Sequence, residues 1–192
     1  MNDFKLYFGI GWEHILSTDA LDHILFLLVL SAVYSLRTWK KALVVVTAFT
    51  IGHSMTLFLS ILDIIRFNSE YVEFFIPVTI AFTAVSNLVL INRKFINLWY
   101  SFFAALVFGL IHGMGFANNI RFMLAENQSV TWPLFSFNVG IEAAQVVLVS
   151  GILLVHFLLI EKALLPQKWW IIILSLAGLI PSLRMAITRW PF

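Results

Sequence analysis

The sequence predicts an all-α integral membrane protein, a six-transmembrane-helix bundle with a short interfacial N-terminal helix. Three observations predict it. Of the 192 residues, 61% are hydrophobic and only 11% charged, whereas a soluble domain is nearer half apolar and a quarter charged. A domain of this size keeps much of its surface exposed, so its own core cannot hide that much apolar area. Finally, six stretches are apolar over the length that a helix needs to cross about 30 Å of hydrocarbon.

Taken in order, residues 4–16 mix aromatics with Lys5, Glu13 and His14, which suits a short helix lying in the outer interface. The spans follow near residues 19–36, 42–65, 70–92, 97–117, 134–160 and 169–189, within one transmembrane domain of residues 1–192. The first opens after "ST", with Asp19 in its first turn, a helix-start signal. Short punctuated loops such as "RTWKK", "NRK" and "LLPQK" connect the spans, and the longest connection, residues 118–132, has room for a short surface helix. Arg37, Lys40, Lys41, Arg93, Lys94, Lys162 and Lys168 gather in the odd-numbered loops. Lys and Arg collect on the cytoplasmic side. The expectation is therefore an inner (plasma) membrane protein with both termini outside.

Composition excludes several functions. The net charge is +2 with scattered basic residues, so no nucleic-acid surface is expected, and the absence of cysteine removes disulfides and thiolate chemistry. The N-terminus lacks a basic region followed by an apolar run and a cleavage site, and reads as mature sequence. The remaining partners are membrane lipid, a metal ion and, because six spans make a small carrier, further copies of the chain.

Ionisable residues inside a membrane are costly and point to function. Here they come from every span and lie mostly toward the outer half: His14, Asp19, Asp22 and His23, then His53, Glu73, His112, Asn138, Glu142, Gln145 and Arg184. Asp19, Asp22 and His23 share one helical face by their i, i+3, i+4 spacing, as do Asn138, Glu142 and Gln145. His14 precedes His23 by nine residues and would point the other way on a straight helix. It joins the group only if the chain bends near Ser17–Thr18.

Buried carboxylates need protons or a counter-ion, and imidazoles beside them are ligands for borderline divalent metals. The candidate ligands are therefore His14, Asp19, Asp22, His23, His53, His112 and Glu142, holding one or two ions of Ni, Zn, Co, Fe or Mn. Glu73, Asn138, Gln145 and Arg184 form a supporting polar shell. Plainer roles exist for single members: Asp19 as a helix cap, Glu70 as a solvated loop charge, Arg184 snorkelling to headgroups, and His156 at the interface. Thr47, Thr50 and Ser54 fit local bonds to helix carbonyls. In "GLIHG", Gly109 and Gly113 form a small-residue packing seam around His112.

The motifs "DHILFLLVL", "FTIGHSMTL", "VEFFIPVTIAFTAVSNL", "FGLIHGMGFA" and "FNVGIEAAQ" resemble, in order, those of the HupE/UreJ family of hydrogenase or urease accessory membrane proteins. The likeness covers about residues 9–150, and the long "HILSTDALDH" spacing resembles the variant of Bacteroidetes members. It implies a nickel or cobalt permease and carries over His14, Asp22, His23, His53, Glu73, His112, Asn138, Glu142 and Gln145. "DALDHI" is also similar to a nickel/cobalt transporter signature, although Ser17 stands where that signature has histidine.

Two mechanisms stay open. A permease would capture the ion outside and pass it inward, but the inner halves of the spans offer few polar steps. A membrane metallohydrolase would activate water on the metal, with Glu142 or Asp22 as catalytic base, Asn138 or Arg184 steadying an oxyanion, and a lipid or membrane-tethered substrate. A metal-binding accessory or sensor subunit is a third class.

Overall fold

The computed structural model describes residues 3–92, 97–123 and 131–191, with the side chains of Asp19 and 117–123 left out. Among the described residues the chain forms seven α-helices and no strand: α1 (Asp3–Leu16), α2 (Leu21–Ser31), α3 (Trp39–Ile61), α4 (Ser69–Val89), α5 (Leu98–Met123), α6 (Thr131–His156) and α7 (Gln167–Thr188). Five of these segments are long and apolar enough to cross a membrane, and α1 with α2 make a sixth crossing if the bent pair counts as one. This is an all-α, multi-pass membrane protein. Its large exposed apolar side chains, such as Val89, Trp99 and Ile187, are what lipid contact requires.

The first crossing differs from the expected 19–36 helix. At 11 residues, α2 is about 16 Å long, roughly half the hydrocarbon thickness. It is preceded by an extended Ser17 (φ −73°, ψ 153°) and a single 3-10 turn at Thr18–Ala20, which together set α1 and α2 at 68°. The N-terminal helix α1 packs along α6 through reciprocal glycines. A Cβ on Gly11 would lie 2.1 Å from the Phe137 carbonyl oxygen, and one on Gly140 would lie 2.2 Å from that of Phe8. Residues 118–123 continue α5 instead of starting a separate surface helix. Residues 124–130, with Arg93, Lys94 and the side chain of Arg121, fall outside the described part.

The most extensive pairing is α3 on α5. Here too glycine permits backbone contact: a Cβ on Gly52 would meet the Leu106 carbonyl oxygen at 2.2 Å, and one on Gly109 would meet that of Phe49 at 2.1 Å. In lipid, where helices gain nothing from hiding apolar surface from each other, such close packing holds them together. The seam expected from "GLIHG" is present. Beneath it, Phe26, Phe49, Ile80, Phe137 and Ile141 are fully buried in one core.

These seams carry a test. Gly→Ala inside an exposed helix face normally gains up to about 1 kcal/mol of helix propensity. Gly109→Ala should instead lower the thermal unfolding midpoint in detergent, by the ~1–3 kcal/mol typical of overpacking. Gly151→Ala, where nothing lies within 4 Å of the added Cβ, should leave the midpoint unchanged or raise it. Equal behaviour of the two variants would show that backbone contact at the α3–α5 seam is not needed.

Candidate metal centre

The helix break and the glycine seams deliver four imidazoles to one place. His14 ends α1, and the turn at Ser17 brings its ring to within 4.5 Å of that of His23, centroid to centroid. His53 of α3 lies 5.5 Å from His14 and 6.0 Å from His23, and His112 of α5 lies 5.3 Å from His23. His53 and His112 each stand fourteen residues beyond the first residue of their helices. Because α3 and α5 start at the same end of the bundle, the two rings share one depth. The close approach at Gly113, whose Cβ would sit 2.3 Å from the His53 carbonyl oxygen, keeps them adjacent.

Hydrogen bonds orient two of the rings. His112 Nδ1 lies 2.8 Å from the Phe108 carbonyl oxygen; a carbonyl only accepts, so Nδ1 carries the proton and Nε2 presents a lone pair. Asp22 plays the same part for His23: Oδ1 accepts from Nδ1 at 3.0 Å and from the His23 backbone N–H at 2.9 Å. Carboxylate or carbonyl bonds of this kind are the usual outer partners of metal-bound histidines. Asp22, expected among the metal ligands, bonds His23 through Oδ1, the arrangement of a carboxylate that orients a metal-bound imidazole.

What remains is a set of unmet polar atoms. Nε2 of His14, His23, His53 and His112, and Nδ1 of His53, are buried with no hydrogen-bond partner among the described residues. A buried polar nitrogen left unpaired costs on the order of 1–3 kcal/mol, and here several meet at one point. His14, His23 and His53 each offer a nitrogen within 4.8 Å of the others, the spacing of ligands around a single ion. Aromatic rings enclose the group: Phe116 lies 4.0 Å from His14 and stacks on Phe137, while Phe49 lies 5.0 Å from His112 and stacks on Phe26 at 4.7 Å. These residues fit a divalent transition metal with nitrogen ligands.

The other candidates fall elsewhere. Glu142 accepts a hydrogen bond from Thr47 at 2.6 Å and closely approaches the Thr50 hydroxyl, which also sits 2.8 Å from Gln145 Oε1. One hydroxyl proton cannot serve both acceptors, so Glu142 or the amide of Gln145 must donate in return. Thr50 and Thr47 precede His53 by three and six residues on α3, about 4.5 and 9 Å along the helix, so this network lies within about two turns of the histidines. Asn138 keeps an unpartnered buried oxygen, Glu73 and Arg184 are exposed, and the side chain of Asp19 lies outside the described residues. Ser54 does bond a local carbonyl, that of Thr50, at 2.7 Å. Thr50 likewise bonds a local carbonyl, that of Val46, at 3.4 Å, and with Thr47 it also reaches across to α6; the facing Glu142 and Gln145 at i, i+3 were the available signal. His156, expected at the interface, is buried against Trp170.

Two measurements follow from this geometry. His23→Ala and His53→Ala should each abolish stoichiometric binding of Zn²⁺ or Ni²⁺ by the detergent-purified protein, read by elemental mass spectrometry after dialysis. Asp22→Asn, which keeps the shape but weakens the bond to His23, should lower affinity by about 10–100-fold. Wild-type affinity should fall on acidification, because protons compete for the same lone pairs. Unchanged metal content in His53→Ala would remove the cluster as the binding site.

Comparison with known proteins agrees with the motif order. No curated protein and no solved structure matches the chain significantly. The family model described as "HupE / UreJ protein" matches residues 1–189, and the chain therefore belongs to the HupE/UreJ family.

Proposed function

We propose that this protein binds a divalent transition metal within the membrane and passes it across, as a nickel- or cobalt-type permease or metal-supply protein. The observation that carries this reading is the group of His14, His23 and His53, whose nitrogens lie close enough together to hold one ion, with His112 packed beside His23. Imidazole without thiolate suits Ni, Co, Zn or Fe better than Cu(I). The family's accessory label points the same way. Outward access follows from the charge bias of the loops: the histidines lie past the middle of α3 and α5 from the end where Lys and Arg gather. The Glu142–Thr47–Thr50 layer, about 4.5–9 Å nearer that end, supplies the oxygen-rich step that the inner halves of the spans otherwise lack. Movement of the ion would then shift it from a nitrogen site to a carboxylate site along α3 and α6. Such a carrier is expected to work as a homo-oligomer.

One observation favours a second reading. Asp22 and the Phe108 carbonyl hold His23 and His112 in fixed orientation, which is typical of a resident metal rather than a departing cargo. In that case the site is a membrane metallohydrolase, with the metal lowering the pKa of a bound water. Glu142 then serves as general base and Asn138 steadies the developing oxyanion of a lipid-like substrate.

Reconstitution separates the two. In proteoliposomes loaded with a metal-sensitive dye, a permease gives protein-dependent Ni²⁺ or Co²⁺ entry that His23→Ala abolishes and Glu142→Gln slows at least tenfold. Absence of flux, with one tightly held metal per chain and a lipid-hydrolase activity lost in Glu142→Gln, would replace the permease with the enzyme.

A further inference from the structure

At the end of the bundle where α3, α5 and α7 begin, the chain encloses a second cavity of about 460 Å³, within the ~300–1,000 Å³ of small-molecule sites. It reaches from Lys41 and Lys168 at its mouth to Phe108, ten residues into α5 and so about 15 Å deep. Phe108 also closes it off from the histidines, since its ring meets Phe26 and its carbonyl receives His112. The metal reading does not involve this cavity. Among the described residues no carboxylate and no imidazole lines it, so a free cation would find lysines and no anionic ligand there.

The charge pattern is one-sided. Lys41 lies in the first turn of α3 and Lys168 in that of α7, the positive ends of two helix dipoles, where a cation is unfavourable and an anion is welcome. α7 has no side-chain cap at that end, and neither lysine has an ion-pair partner among the described residues. Below the mouth come the hydroxyls of Tyr34 and Ser101 and the amide of Asn87, and then apolar walls of Phe82, Leu90 and Phe108. Tyr34 is 6% exposed and Asn87 9% exposed, so these polar groups belong to a built wall and not to the outer surface.

We infer that this cavity binds a phosphate group, carried by an anionic phospholipid whose headgroup sits between Lys41 and Lys168 and whose acyl chain lies along Phe82, Leu90 and Phe108. Basic pockets between transmembrane helices are suited to such headgroups. The apolar depth favours a lipid over free phosphate, and the shared feature is the anion.

The test is native mass spectrometry of the full chain taken from nanodiscs of equal phosphatidylglycerol and phosphatidylcholine, with thermal stability measured on adding inorganic phosphate. The wild type should retain phosphatidylglycerol over phosphatidylcholine by about tenfold, and Lys41→Ala/Lys168→Ala should retain both equally. Lys40→Ala/Lys162→Ala removes the same charge from lysines that lie over Trp39 and Phe157, and should behave as wild type. Stabilisation by inorganic phosphate without lipid preference, lost in the first variant alone, would keep the anion site and assign it to free phosphate. Equal retention of the two lipids by wild type without any phosphate effect, or equal loss in both double variants, would overturn the proposal.

Discussion

The structure turns on polar atoms without partners: the buried Nε2 atoms of four histidines meet no hydrogen-bonding group among the described residues. A single buried histidine usually donates one proton and accepts another. Here His23 and His112 donate through Nδ1 to Asp22 and Phe108, and the opposite nitrogens are buried without a partner among the described residues. An apolar enclosure makes each unmet lone pair more costly, and makes any cation that meets several of them more firmly held. A divalent metal settles that cost for the whole layer at once.

Everything else positions that layer. The break at Ser17 lets one stretch of chain supply both His14 and His23 from helices set at 68°. The glycine contacts between α3 and α5 fix His53 and His112 at a common depth, and those between α1 and α6 draw His14 inward beside Phe137. Packing and chemistry are thus the same residues seen twice, since a wider helix spacing would pull the imidazoles apart. Phe108, whose ring meets Phe26 and whose carbonyl receives His112, stands between this layer and the basic cavity at the other end. The bundle therefore carries two compartments of opposite chemistry, one rich in lone pairs and one rich in positive charge.

Much of this was legible in the sequence. Hydropathy revealed the membrane class because no small core could bury so many apolar residues. The motifs around His23, His53 and His112 revealed the histidine group, and the nine-residue spacing of His14 and His23 required the bend that the chain makes. Depth along a helix could be counted, but contacts between helices could not. For that reason Glu142 was grouped with the histidines, although it pairs with Thr47 and Thr50, and Glu73 and Arg184 were drawn inward although both are exposed. Likewise, the packing of α1 on α6 was not legible, because it depends on Gly11 and Gly140 meeting carbonyls across the gap. The basic cavity draws on five helices, none of which shows it alone.

The central claim is that a metal in this protein is held by imidazole nitrogen from several helices. X-ray absorption spectroscopy of the zinc-loaded, purified protein addresses it directly. The account predicts at least three imidazoles per zinc, with nitrogen at about 2.0–2.1 Å and the outer-shell scattering of histidine rings. A first shell of oxygen alone, without ring scattering, would contradict it.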